Sequence, residues 1–181
     1  MPIYHSLGKK PSKRHTIFEK PQGGYYYEQL FGTEGFHGMA SLLYHTHRPT
    51  EVKQVKDVVD LTPKIAFQKS LFSRKLLGFD ITSQDDFLES RTPLLVNNDV
   101  HIGVAAPRKP MMDCFYKNAS ADELHFIHKG SGKLRTLLRS IEFKYGDYLL
   151  IPRGMIYQIH FDTEDNRIFY VESFSPVVTP K

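Results

Sequence analysis

Two histidines and a glutamate in the first half of the chain have the spacing of a metal-ligand set. His45 and His47 are separated by one residue, and Glu51 follows four positions later. Two imidazoles and one carboxylate suit a non-haem Fe(II) centre that keeps open positions for substrate and oxygen. Pro49 would interrupt any strand that carried them, and Glu51 begins a predicted helix. A solvated or interface loop is therefore the favoured interpretation.

A second group of polar residues is predicted to face the inside of the protein, because alternate side chains of a strand point to the same face. The two inward faces are formed by Glu123, His125 and Ile127, and by Tyr157, Ile159 and Phe161. An unpaired buried polar group costs about 1–3 kcal/mol, so these side chains must bond one another or water. Two interpretations stay open: a satisfied polar core, or a small-molecule pocket in which His125 acts as acid or base.

The single cysteine, Cys114, excludes an intramolecular disulfide and any metal site built on two cysteines. It stands beside Phe115 in a strand-like run, so we expect a small buried hydrophobe rather than a nucleophile. A chain without disulfides fits a reducing compartment, and neither a signal peptide nor a membrane-spanning apolar run is visible. We therefore expect a cytoplasmic protein.

The chain carries 24 basic and 20 acidic residues, which gives a net charge of +4 with neutral histidines. Part of the basic excess lies in the first 20 positions, at Lys9, Lys10, Lys13, Arg14 and Lys20. A nucleic-acid-binding arm and a solvated lead-in segment would both look like this, but no aromatic RNA-binding signature or zinc-finger spacing accompanies it. We expect neither a nucleic-acid partner nor a membrane partner.

The elements of the first half are predicted to be a hairpin and a short helix. Residues 21–24, Pro-Gln-Gly-Gly, form a turn signal because glycine tolerates positive φ. The aromatic-rich runs 25–31 and 36–44 are predicted strands that pair with each other. Thr50 is a suitable N-cap, and valines at spacings of three and four behind it predict a helix over residues 51–60.

The second half is predicted to be a barrel or a sandwich. A length of 181 residues suits one domain with an elaborated terminus. From residue 98 onward, short runs rich in β-branched and aromatic residues alternate with turn residues, which is typical of all-β architectures. The predicted strands are 100–106, 114–118, 123–128, 133–138, 141–145, 148–151, 156–161 and 167–171.

Two of these stretches resemble the signature segments of cupins. Residues 146–154 read G-x5-P-x-G, and Glu123 with Gly130 matches the E-x6-G end of the other motif. The resemblance implies histidines at positions 116, 118 and 157, where this chain has Tyr116, Asn118 and Tyr157. Phenol and carboxamide oxygens are poor substitutes for imidazole nitrogen, so we expect a barrel without a catalytic metal. Alternatively, Glu123 pairs with Lys129 or Arg135 at the surface.

Three segments in order resemble the N-terminal half of bacterial homogentisate 1,2-dioxygenases. They are residues 26–32, residues 42–45 with the following Pro49-Thr50, and residues 147–175. The resemblance implies an enzyme of two cupin halves in which Fe(II) and O2 open the ring of homogentisate to give maleylacetoacetate, in tyrosine and phenylalanine catabolism. It places the iron in the C-terminal half, so no catalytic residue is carried over to this chain.

The sequence therefore predicts a mainly β fold, a cupin (double-stranded β-helix or jelly-roll) barrel over residues 95–181. An N-terminal strand-and-helix extension, residues 1–94, is expected to pack on it. The chain itself would be structural, with Fe(II) only in the full-length enzyme and none in this chain alone. Its partners would be the C-terminal cupin half or other subunits, in a homo-oligomer. The alternative is a free-standing, metal-free cupin that binds a small metabolite or acts as an assembly module, with a pocket at Glu123, His125, Tyr157, Tyr116 and Asn118.

Overall fold

The chain divides into two compact units, Met1–Lys56 and Asp57–Lys181. The structure, a computed structural model, describes residues 17–67, 70 and 72–178. The basic residues at positions 9, 10, 13 and 14 and the terminal Lys181 lie outside the described residues, so the interpretations of that basic segment stay predictions.

The first unit contains the predicted hairpin. Strand β1 (Tyr27–Glu34) pairs antiparallel with β2 (His37–His45), and the register shifts between Gly32 and Glu34. The turn signal before β1 is confirmed, because Gly23 and Gly24 both adopt positive φ. Every strand residue whose side chain is described is exposed or half-buried.

The helix predicted over residues 51–60 is wrong, because these residues have no regular structure. Val52, Val55 and Val58 are 73%, 86% and 82% exposed, so the valine stripe is not packed against an apolar surface. A short helix depends on such packing for its stability, and β-branched residues weaken it further. Within the described residues, helical structure is limited to one 3-10 turn, Gly78–Asp80.

The second unit consists of two antiparallel sheets. Their strands are β3 (Arg91–Val96), β4 (Val100–Ala105), β5 (Asp122–Lys129), β6 (Gly132–Thr136), β7 (Ser140–Phe143), β8 (Tyr148–Ile151), β9 (Tyr157–Phe161) and β10 (Arg167–Ser173). One sheet has the order β3-β4-β10-β5-β8, and the other has the order β7-β6-β9. After β5 the chain passes repeatedly from one sheet to the other, which is the winding of a jelly roll. The cupin-type barrel predicted from the sequence is confirmed.

The core lies between the inner faces of these sheets. Apolar side chains from both sheets fill most of it, and the largest fully buried ones are Tyr157, Tyr170, Phe87, Ile127, Ile159 and Ile168. The turn of the G-x5-P-x-G segment connects β8 to β9, and Gly154 adopts a φ of +79° there. That conformation favours glycine and brings β9 back across the barrel.

Two further differences from the predicted strands concern residues 114–118 and strand β3. Residues 114–118 form no strand, and only Tyr116 makes an isolated bridge, to Tyr157. Strand β3 was not predicted from the sequence, and the proposed boundary between residues 94 and 95 falls inside it. The packing of the N-terminal extension on the barrel stays a prediction. Over the part of the chain that the structure describes, no helix has the length and apolar character needed to cross a membrane.

Candidate functional site

Four of the five predicted pocket residues are joined by direct contacts at one end of the barrel interior. The Tyr157 hydroxyl donates to Glu123 Oε2 at 2.7 Å, and Asn118 Nδ2 lies 3.4 Å from Glu123 Oε1. Tyr116 exchanges both backbone hydrogen bonds with Tyr157, and the two rings meet edge to face with centroids 5.5 Å apart. Glu123 and Tyr157 are completely buried, so a carboxylate and a phenol from opposite sheets meet without water between them.

Arg91 completes this group, and its role was not predicted from the sequence. Its Nη1 lies 3.1 Å from Glu123 Oε1, and its Nη2 lies 2.8 Å from Glu172 Oε1. The guanidinium also stacks on the Tyr170 ring, 4.2 Å from the centroid. With only 6% of its side chain exposed, Arg91 is a buried cation between two carboxylates.

Glu172 on β10 is the second carboxylate of the site. It accepts a hydrogen bond from Asn118 Nδ2 at 2.8 Å, and His101 Nδ1 lies 3.4 Å from its other oxygen. Together, Arg91, Asn118, Glu123, Tyr157 and Glu172 are named the Arg91 cluster below.

Strand register explains why the cluster contains a cation. Glu172 on β10 is directly opposite Glu123 on β5, and like charges in that position are destabilising. Arg91 enters from β3, on the far side of β4, and binds both carboxylates. Gly103 on β4 makes room for this arrangement, because a Cβ there would come within 2.5 Å of the Tyr170 ring and 2.6 Å of the Thr92 carbonyl.

The buried charges shift the ionisation of their neighbours. Burial lowers the pKa of Arg91, but Glu123 and Glu172 outweigh that effect and raise it overall. Burial and the nearby Glu123 raise the pKa of Tyr116 to about 12 and that of Tyr157 well above its usual value. Both phenols are therefore neutral hydrogen-bond donors at physiological pH.

His125 differs from the other site residues. It is completely buried beside Tyr157 and Phe87, with ring centroids 6.4 Å and 5.6 Å away. Neither of its ring nitrogens has a hydrogen-bond partner. Burial first, and Arg91 second, lower its pKa to about 3, so the imidazole is neutral. The polar core is thus satisfied at Glu123 and Tyr157 but not at His125.

A catalytic iron does not fit this interior. The positions at which the cupin resemblance implies histidines hold Tyr116, Asn118 and Tyr157, and both Glu123 oxygens already have partners. Among the described residues, no group of three or more histidine, cysteine or acidic side chains is placed to hold a metal ion.

The other sequence candidates are not part of this site. His45, in the first unit, bonds Gln29 Oε1 through Nε2 at 2.8 Å, and the set of His45, His47 and Glu51 is not placed to hold a metal. Cys114 is exposed, so the prediction of a buried hydrophobe is wrong. The residues around Cys114 do not form a strand that would bury alternate side chains. Partial desolvation of the thiol, together with the nearby Asp86 and Asp113, raises the pKa of Cys114.

The proposed surface pairing of Glu123 with Lys129 or Arg135 is also wrong. Glu123 points into the barrel, where it meets Arg91. Lys129 pairs instead with Asp165, and Arg135 donates to Gln158 Oε1.

The outer face of the five-stranded sheet is unexpectedly apolar. Most of the side chains that alternate with the buried ones on four neighbouring strands are apolar: Ile102, Val104, Leu124, Phe126, Tyr148, Leu150, Phe169 and Val171. Polar exceptions, among them His128 and Arg167, lie at the ends of their strands. Tyr148, Leu150 and Phe169 are 67%, 47% and 40% exposed. Residues 75–80 lie over part of this face and enclose a cleft of about 570 Å³. This surface is named the outer apolar face below.

The jelly-roll winding and the glycine turn before β9 match the motifs found in the sequence. The second unit has the jelly-roll fold of cupins. The chain is 33% identical over 172 residues to the protein named "Putative dioxygenase SSO1533" of Saccharolobus solfataricus, an alignment that covers 95% of this chain and 44% of that one. The chain thus spans less than half the length of this curated relative. No protein-family model matches it.

Solved structures resemble the cupin domain only at low identity. A conserved protein of unknown function from Streptococcus pyogenes aligns at 16% identity with a TM-score of 0.47, over 62% of this chain and 98% of that one. A cupin-2 domain protein from Shewanella frigidimarina aligns at 18% identity with a TM-score of 0.40, over 46% and 79% of the two chains. Similarity of this size has no bearing on function.

Proposed function

We propose that this chain is the N-terminal half of a homogentisate 1,2-dioxygenase-like enzyme and that its own role is structural. One observation carries the structural role: of the four positions at which the cupin motifs imply metal ligands, only Glu123 has a usual iron ligand, and it already bonds Arg91 and Tyr157. Ring cleavage would then belong to another part of the full enzyme.

The relative supports the dioxygenase part of the proposal. It is named as a putative dioxygenase, and this chain aligns with 44% of its length, as one half of a two-barrel enzyme would. The ordered segments 26–32, 42–45 and 147–175 point to homogentisate as the substrate of the whole protein. In such an enzyme Fe(II) is held by the other barrel, and both atoms of O2 enter the opened ring.

The outer apolar face supports a partner within the same enzyme. An antiparallel sheet that faces water usually alternates apolar and polar residues, whereas this sheet is apolar on its outer face as well. Exposed apolar patches of this kind mark interaction sites. We assign the iron-binding barrel as the partner that covers Tyr148, Leu150 and Phe169, since over half of the relative's length has no counterpart in this chain.

Metal analysis of the purified chain tests the structural role. After production in iron-supplemented medium, we expect far less than one iron per chain and no O2 uptake with homogentisate. One iron per chain together with homogentisate-dependent O2 uptake would overturn the proposal.

The coding sequence downstream of Lys181 tests the assignment to a larger enzyme. We expect the reading frame to continue into a second barrel with two histidines and a glutamate, and the complete protein to form maleylacetoacetate from homogentisate. A complete protein that binds iron but leaves homogentisate unchanged would contradict the substrate. A stop codon directly after the codon for Lys181 would contradict the assignment of this chain to a larger enzyme.

The unpartnered His125 supports a second candidate, a metal-free cupin that binds a small metabolite. The Arg91 cluster holds two carboxylates for one guanidinium, so the ligand would be neutral rather than anionic. A thermal-shift titration with phenol tests this. We expect stabilisation that is lost in His125→Ala and reduced in Tyr157→Phe, and phenol without effect on the wild type would exclude the candidate for this ligand class.

A further inference from the structure

We infer that the guanidinium of Arg91 takes the place of the metal ion in this barrel, as a permanent cation that joins the strands around it. The inference rests on the metal-free part of the proposed function and adds what replaces the metal. Of the residues at the four motif positions, Glu123 is one of the two carboxylates that Arg91 binds, and Tyr157 and Asn118 donate hydrogen bonds to it. The fourth residue, Tyr116, packs against the Tyr157 ring.

The contacts of Arg91 are those that a bound cation would make. It binds Glu123 on β5 and Glu172 on β10, two residues that are directly opposite in the sheet. Without a positive charge between them, two carboxylates would face each other in a buried site. Arg91 is covalently attached to β3, so the same contacts also connect three strands of the sheet.

A guanidinium differs from a metal ion in that it cannot dissociate from the protein. Like a metal ion, it keeps its charge at all physiological pH values. Its two parallel donors fix the directions of Glu123 and Glu172, and its planar face stacks on Tyr170 at 4.2 Å. The barrel is therefore independent of metal supply, and an iron ion would meet a positive charge where it needs free ligands.

The inference predicts that removing the guanidinium exposes a set of metal ligands. In the wild type Glu123, Glu172 and His101 are not placed to hold an ion. Removing Arg91 frees both carboxylates, and His101 Nδ1 lies 3.4 Å from Glu172, so we expect these three side chains to converge on an added cation. Two carboxylates and an imidazole are suitable ligands for Co²⁺ and Zn²⁺. A bound divalent ion should then restore the stability that Arg91 supplied.

The test is metal rescue of Arg91→Ala, with Co²⁺ as the probe. We expect this variant to melt roughly 10 °C below the wild type, because two buried carboxylates lose their cation. Added Co²⁺ should bind at one ion per chain, raise the melting temperature and give the visible absorption of coordinated cobalt. The wild type should show none of these effects.

Two further variants test whether Co²⁺ acts at the position of Arg91. Arg153→Ala is the matched control, since Arg153 pairs with Asp122 at 3.3 Å outside the cluster, and we expect no stabilisation by Co²⁺. Arg91→Ala combined with Glu172→Gln should lose Co²⁺ binding. If Co²⁺ neither binds nor stabilises Arg91→Ala, or acts equally on Arg153→Ala, the inference is wrong.

If Arg91→Ala is recovered only in unfolded form, refolding in the presence of Co²⁺ becomes the measurement. Recovery of the folded barrel with Co²⁺, and not with Mg²⁺, supports the inference, and failure with both overturns it. None of these readouts depends on homogentisate, so they can fail while the proposed function stands. Conversely, iron in the wild type would refute the proposed function whatever Co²⁺ does to the variant.

Discussion

The two faces of the five-stranded sheet have the reverse of the usual polarity: the inner face carries buried charges, and the outer face is apolar. At one end of its inner face, Arg91, Glu123 and Glu172 form a buried charged group. Its outer face presents Tyr148, Leu150 and Phe169 to the surroundings. In most soluble domains the charges lie outside and the aromatic residues inside.

This difference in polarity indicates that the two faces have different roles. Inside, burial of charge is tolerated because every charged group in the Arg91 cluster has an oppositely charged partner at hydrogen-bond distance. Outside, apolar exposure is reasonable only where another surface covers it. The inner face therefore serves the stability of the barrel, and we propose that the outer face serves assembly.

The largest predicted effect concerns the pairing of the inner charges. Arg91→Leu should lower the free energy of unfolding by about 3–5 kcal/mol, because it leaves two buried carboxylates unpaired. Changing Arg91, Glu123 and Glu172 together to leucine should recover most of that loss, since apolar residues can replace a buried ion group. Urea denaturation followed by circular dichroism measures both.

The exposed pair Lys133–Glu142 supplies the control for this comparison, with side chains 52% and 82% exposed. Lys133→Leu should cost no more than about 1 kcal/mol. If the triple variant is no more stable than Arg91→Leu, the charged side chains stabilise the inner face by more than neutralising one another.

The close packing of the inner face is tested at Gly103. In Gly103→Ala the new Cβ would overlap the Tyr170 ring and the Thr92 carbonyl, both closer than 3 Å, so we expect a loss of about 1–3 kcal/mol. Gly78→Ala is the control, because its Cβ would meet only one methyl group of Val104, at 3.3 Å. Equal unfolding midpoints for the two variants would mean that the Tyr170 ring can move to make room for the added methyl group.

The buried imidazole makes stability depend on pH. Because the pKa of His125 is lowered to about 3 in the folded protein, the unfolded chain binds a proton that the folded one excludes once pH falls below about 6.5. Stability should therefore decrease from pH 6.5 toward pH 3, by up to about 1.4 kcal/mol per pH unit from this residue. Above pH 7 the contribution is constant.

His125→Phe should remove that slope, and the exposed His47→Gln should keep it. The charged groups nearest to His125, Arg91 and Glu172, are the same in both variants, so the difference between their pH profiles isolates the imidazole. Profiles that run parallel from pH 7 to pH 4 would contradict a neutral buried His125.

The inner residues could be predicted from the sequence in part. Period-two alternation placed Glu123, His125 and Tyr157 inside, because a strand buried on one face leaves no other register. The glycine turn that ends at Gly154 was also predicted, since its signal is local.

Arg91 could not be predicted from the sequence, because its role depends on partners 32 and 81 positions away. Its strand contains Pro93, which argues against strand pairing in a sequence pattern. The predicted helix over residues 51–60 failed for the converse reason: its valine pattern was local, and Val52, Val55 and Val58 stay exposed instead of packing on an apolar surface.

The outer apolar face gives the smallest expected effect on stability and a separate effect on the amount of exposed apolar surface. Leu150→Lys should change the free energy of unfolding by no more than about 0.5 kcal/mol, because the side chain is 47% exposed and leaves no buried group unpaired. Its effect should appear instead in the binding of anilinonaphthalene sulfonate, which reports exposed apolar surface and should fall relative to the wild type. Val58→Lys, at a site that is 82% exposed and is not one of the residues of this face, should leave the dye signal unchanged. If Leu150→Lys destabilises the barrel as strongly as Gly103→Ala, the outer face belongs to the folding core, and its assignment to assembly is wrong.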